Sequence, residues 1–106
     1  MFARSVSLRL RSNSAELFTW TIDTEMIPPL RRQKSFQDEI TFIAPGGKEA
    51  IAISLWDQKQ NAEAYNRGTY PQVLSTLANV VEGTPQVQTY QVSNSTFHKI
   101  AVPSAA

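Results

Sequence analysis

The chain reads as one α+β domain of the ferredoxin-like type, a β-α-β-β-α-β sandwich with a four-stranded antiparallel sheet. Apolar residues alternate at period two in four short stretches, and two stretches between them carry helical spacing. The order of the six is that of a split βαβ arrangement, in which both helices cover one face of the sheet. A further observation concerns the other face. From Glu49 to Trp56, Ile51, Ile53 and Leu55 point to one side and Ala50, Ala52, Ser54 and Trp56 to the other, so neither side is furnished for water. At ~25 cal/mol per Å² of apolar surface, leaving such a face bare would forfeit several kcal/mol and invite aggregation. The expectation is a homodimer formed by sheet-to-sheet packing.

In the first strand Phe2, Val6, Leu8 and Leu10 alternate with Ala3, Ser5, Ser7 and Arg9, and Arg4 interrupts the apolar side. Asn13 or Ser14 is placed to cap a helix carrying Leu17, Phe18, Thr21, Ile22, Met26 and Leu30, with Glu16 in its first turn. Pro28 and Pro29 lack amide donors and predict an end or kink near Ile27. Arg31, Arg32 and Lys34 then complement the helix C-terminus. Asp38 to Ile43 alternates, Pro45-Gly46-Gly47 turns, and Glu49 to Trp56 returns as a hairpin. Lys59 to Arg67 is helical, with Ala62 and Tyr65 facing the core; Gly68 and Pro71 break the helix before Val73, Leu74, Leu77 and Val80 resume it. Gly83 to Pro85 predict a turn, and Val87 to Ser93 a last strand. The domain is expected to span 1–100, with 101–106 as a flexible tail.

Composition bounds the function. The 106 residues suffice for one core, and a formal charge of +1 provides no general field for nucleic acid or an anionic membrane. No stretch is apolar and long enough for a transmembrane helix, and the N-terminus lacks a leader pattern, which predicts a cytoplasmic location. The absence of cysteine removes disulfides, thiolate nucleophiles and thiolate metal sites, and the one histidine, His98, cannot build a two-histidine metal triad. No metal or cofactor is expected. An RNA recognition motif would need aromatics along Lys48 to Trp56, and Gly46-Gly47 is not followed by a phosphate-loop lysine.

Several residue groups carry a family likeness. Met26-Ile27-Pro28-Pro29-Leu30-Arg31, the hairpin from Gln37 to Trp56, and Ser54-Leu-Trp-Asp followed by Asn61-Ala-Glu-Ala-Tyr65 resemble the antibiotic biosynthesis monooxygenase family over about residues 2 to 95. The resemblance implies the dimeric α+β barrel fold and a pocket between sheet and helices, which the strand-ending tryptophan, matched by Trp56, often lines. It embraces cofactor-independent oxygenases of aromatic polyketides and haem-degrading oxygenases. The latter carry a histidine in the second helix, where this chain reads Tyr65-Asn66-Arg67, and an asparagine on the first strand, where it has Ser5 and Ser7. Haem degradation is therefore the less favoured activity.

Each candidate site residue also has a structural reading. Trp56 either stacks on a planar substrate or closes the core, while the small Ala52 and Ser54 beside it leave room for a cavity or for a close helix. Arg4 either stabilises an enolate or phenolate or forms a salt bridge. Tyr65, Tyr70 and Tyr90 either polarise a substrate oxygen or edge the core. His98 is either a general base or a solvated or dimer-contacting side chain. The resulting expectation is a monooxygenase-like protein that holds a small planar aromatic or quinol, with Arg4 and Tyr65 as catalytic candidates and Trp56, Ser54, Ala52 and Tyr70 as binding candidates. The alternative is a non-catalytic dimeric binding or stress-associated protein of the same fold.

Overall fold

In a computed structural model, which describes residues 1–100, β1 (Phe2–Leu10) leads into a helical segment, a hairpin, a broken helix and a final strand. The hairpin is β2 (Phe36–Ile43) and β3 (Glu49–Trp56), joined through Gly46 and Gly47, both at positive φ. The four strands are antiparallel in the order β2-β3-β1-β4, the arrangement expected of a split βαβ domain. The tail expected at 101–106 lies outside the described residues.

The first helix differs from its sequence reading. It runs as α1 (Ala15–Thr21), widens into a π-helical stretch at Ile22–Met26, and continues as α2 (Ile27–Arg31). Pro28 and Pro29 do not end it; they sit in the first turn of α2, and the irregularity expected near Ile27 takes the form of the wider turn just before them, through which Ile27 N–H still donates to the Ile22 carbonyl. The extra residue in that turn also explains the core spacing. Ile22, Met26 and Leu30 recur at intervals of four, which a regular helix would rotate progressively off one face, yet all three are buried. Leu17, by contrast, is exposed, as is its neighbour Trp20. Ser14 occupies the N-cap position but makes no capping hydrogen bond; its hydroxyl donates to the Ser12 carbonyl, and Asn13 takes a left-handed conformation.

The second helical region is broken as predicted, into α3 (Lys59–Gly68) and α4 (Tyr70–Leu77). The final strand, β4 (Val81–Gln91), starts earlier than expected. Gly83 to Pro85 are not a turn between elements. Gly83 has φ +66 and lies where the β1–β4 register shifts between Ser7 and Arg9, so the glycine serves a bulge inside the strand.

The core fills the space between the helices and one sheet face. Val6, Leu8, Leu10, Ala50, Ala52 and Trp56 meet Phe18, Ile22, Leu30, Tyr65, Val73 and Leu77 there. On the opposite face Ile40 pairs with Ile53 and Phe42 with Ile51, and Ile40, Phe42 and Ile51 are 53%, 52% and 42% exposed. The chain after β4 returns to the far edge of this face, where His98 contacts the Asp38 carboxylate of β2. No helix among the described residues is long and apolar enough to cross a membrane.

Candidate active site

One cross-strand row on the helix-facing side of the sheet is polar. Register places Glu39, Ser54, Arg4 and Thr89 side by side on β2, β3, β1 and β4. The neighbouring row is Thr41, Ala52, Val6 and Val87. Small side chains at Ala52 and Ser54 keep the helices from filling the space above them. There a cavity of about 20 Å³, room for one water molecule, is lined by Arg4, Glu39, Ala52, Ser54, Tyr65 and Tyr70 among others.

Arg4 dominates the site. It is 4% exposed, and among the described residues no carboxylate lies within ion-pair distance of it. Its Nη2 donates to Asn66 Oδ1 at 2.8 Å, and its guanidinium lies 4.0 Å from the Tyr70 ring centre and 5.2 Å from that of Tyr65. Nε has no partner. Burial lowers the Arg4 pKa, but a guanidinium keeps its proton, so the site holds a positive charge that two aromatic faces and one amide offset only in part. The expected alternative for Arg4, a salt bridge, is not formed among the described residues.

The other ionisable groups follow from this enclosure. Burial pushes the Tyr65 phenol up to about 12 despite the nearby cation, so Tyr65 keeps its proton near neutral pH. Burial also raises the Tyr70 phenol, whose hydroxyl is enclosed and without a partner. Glu39 escaped the reading of the sequence. Burial raises its pKa, against the opposing influence of the hydroxyl of Thr41, which donates to it. Alternation alone puts Glu39 on one side of β2, and only the pairing register, which sets it beside Ser54, places that side under the helices.

Of the predicted site residues, Arg4, Ala52, Ser54, Tyr65 and Tyr70 come together around the cavity. Trp56 stands behind it. It is fully buried, donates from its indole nitrogen to Ser54 Oγ at 2.9 Å, and packs between Phe36 and Tyr65 with ring centres 5.5 and 5.4 Å away. Tyr90 lies apart on the open sheet face, 52% exposed, and His98 is remote from the cavity beside Asp38. Among the described residues, no group of three or more His, Cys, Asp or Glu side chains is arranged to hold a metal ion.

Fold and site together define a ferredoxin-like α+β protein with a charged cavity between sheet and helices. Its likeness to particular proteins is one of structure. A monooxygenase from the gene ActVA-Orf6 of Streptomyces coelicolor, solved in complex with nanaomycin D, matches with TM-score 0.74 and 11% identity over 97% of this chain and 92% of that one. A candidate antibiotic biosynthesis monooxygenase from Bordetella bronchiseptica matches with TM-score 0.72 and 11% identity, covering 86% of this chain and 95% of its own. The NE2512 protein of unknown function from Nitrosomonas europaea matches with TM-score 0.75 and 10% identity, over 92% and 94% of the two chains. No sequence-family model matches the chain. No curated protein matches it by sequence. The ferredoxin-like α+β fold expected of the single chain is thus the fold observed.

Proposed function

We propose that this chain is an oxygenase of the antibiotic biosynthesis monooxygenase type, acting on a small planar aromatic or quinol held between sheet and helices. The observation that carries the reading is Arg4, a buried cation without a carboxylate partner, facing a cavity in a fold shared with a monooxygenase solved with nanaomycin D. Charge placed there at a cost in stability is suited to stabilising charge that develops during a reaction. The proton of a phenol or of an activated methylene passes to a Glu39 oxygen, and the resulting phenolate or enolate lies against Arg4 with Tyr65 as donor. Dioxygen then oxidises the anion at the activated methylene, or at the ring carbon para to the phenolate: one oxygen atom becomes the carbonyl of the ketone or quinone product and the other leaves as water with two substrate hydrogens. Trp56 serves as a wall that holds Tyr65 and Ser54 in position.

The reading includes a single domain over 1–100 and a homodimer across the open sheet face, which exposed Ile40, Phe42 and Ile51 support. A second reading, binding without chemistry, is favoured by one fact: about 20 Å³ is too little for an aromatic ring, so helices or side chains must move to admit one. Oxygen uptake with a panel of hydroquinones and anthrones, with products weighed by mass spectrometry, separates the two. Uptake above the uncatalysed rate that is lost in Glu39→Gln is expected; saturable binding of the same compounds without uptake would leave only the binding reading.

A further inference from the structure

A second cavity lies on the opposite side of Arg4. It measures about 100 Å³, sits between α3 and the β1–β4 edge, and has walls that are mainly apolar, from Phe2, Ala3, Ala62 and Val87. Arg4 is the one residue that lines both cavities. Its hydrogen bond to Asn66 on α3 therefore spans the boundary between them. We infer that the outer cavity is the docking site for a one-ring aromatic monoanion, whose anionic group binds Arg4 and whose ring lies against Phe2, Ala62 and Val87.

Size, charge and geometry each support this. A volume of about 100 Å³ is about two-thirds of the ~150 Å³ of an engineered cavity that takes benzene, so one ring with its polar end at the mouth is the most it admits and a fused-ring system does not fit. The walls suit a ring, and the sole buried charge they meet is the guanidinium of Arg4. Lys59 and Glu63, at the rim, lie 3.9 Å apart and largely answer one another. Arg4 has an unpartnered Nε, and its Nη2 is engaged only by a neutral amide oxygen. A carboxylate or phenolate oxygen is a stronger acceptor than that amide, and a carboxylate can accept from Nε and Nη2 together. Asn66 Oδ1 thus occupies the place of a ligand oxygen. The exposed Asn66 side chain is free to yield it, which makes Asn66 a positioning residue rather than a catalytic one. When the anion draws Arg4 outward, the inner and outer spaces join beside Glu39 and Tyr65. The inference rests on the oxygenase reading for its chemistry and not for its binding.

Calorimetric titration of the full chain with benzoate, benzamide and anthracene-2-carboxylate tests it. Benzoate is expected to bind, with benzamide at least ~10-fold weaker, since a hydrogen bond to a charged partner exceeds its neutral counterpart by that much, and with the three-ring acid weaker because its ring system exceeds the cavity. Val87→Trp, at a half-exposed edge position that leaves the core intact, fills the outer cavity and is expected to abolish benzoate binding. Asn66→Ala should strengthen benzoate binding relative to benzamide, because it frees Arg4 Nη2 for the anion, a change in selectivity that a purely structural role would not produce. Equal binding of benzoate and benzamide, no binding of either, or benzoate affinity unchanged in Val87→Trp would overturn the inference. Benzoate binding without oxygen uptake from any hydroquinone leaves it standing and removes the oxygenase reading. Oxygen uptake from a hydroquinone together with no binding of benzoate does the reverse.

Discussion

Glu39 and Trp56 show how differently two side chains of one sheet face can serve a site. Burial raises the Glu39 pKa, so a base at this position loads its proton at a higher pH than an ordinary carboxylate. Oxygen uptake should therefore climb with pH on a limb centred above the usual carboxylate range, and Glu39→Gln should remove that limb; a profile unchanged by the substitution assigns the base elsewhere. The same shift sets a stability relation. With the folded pKa above the unfolded one, the folded state binds the proton more tightly, so the contribution is present below the ordinary carboxylate range and lost as pH rises through the folded pKa. Melting curves should show Glu39→Gln gaining on the parent between acid and neutral pH. Trp56 acts through packing: Trp56→Phe deletes the bond to Ser54 and part of a filled core site, at a cost of roughly 1–3 kcal/mol. Denaturant unfolding checks this, and a neutral substitution would mean that the ring is not held as described.

At the scale of elements, most of the chain was legible because period decided it. β1, the hairpin and the broken α3–α4 pair follow directly from alternating or helical spacing and from Gly68 and Pro71. The failures lie where one residue was read by its usual habit. Of the end or kink that Pro28 and Pro29 predict near Ile27, the end does not form; the π-helical stretch before them interrupts regular α geometry and lets the helix continue with both prolines in a first turn. The hydroxyls of Thr21 and Thr24 help by donating to the Leu17 and Trp20 carbonyls around that stretch. Gly83 read as a turn and is instead the positive-φ residue of a bulge, which extends β4 back to Val81. Gly83→Val should cost about 1–2 kcal/mol, because a branched side chain resists that backbone conformation. Thermal unfolding measures it, and an unchanged midpoint would contradict the bulge. Glu39 stayed unread for another reason: its place beside Ser54 depends on pairing register, which a single strand's pattern does not reveal.

The whole molecule presents two surfaces with opposite demands. The open sheet face, with Ile40, Phe42 and Ile51 exposed, asks for a partner, and a second copy supplies the same apolar rows. Sedimentation at micromolar concentration should give twice the chain mass for the parent and the single mass for Ile51→Glu, which sets a charge in that face; a monomeric parent would remove the dimer. The enclosed face instead carries Arg4, a charge that folding would be better without. Arg4→Met keeps the volume and removes the charge, so paired melting and oxygen-uptake assays on that one variant bear most directly on whether the cavity is a site. The site predicts a melting temperature equal to or above the parent's together with loss of uptake. A melting temperature lowered by many degrees with uptake per folded molecule unchanged would make Arg4 a structural residue and contradict the site.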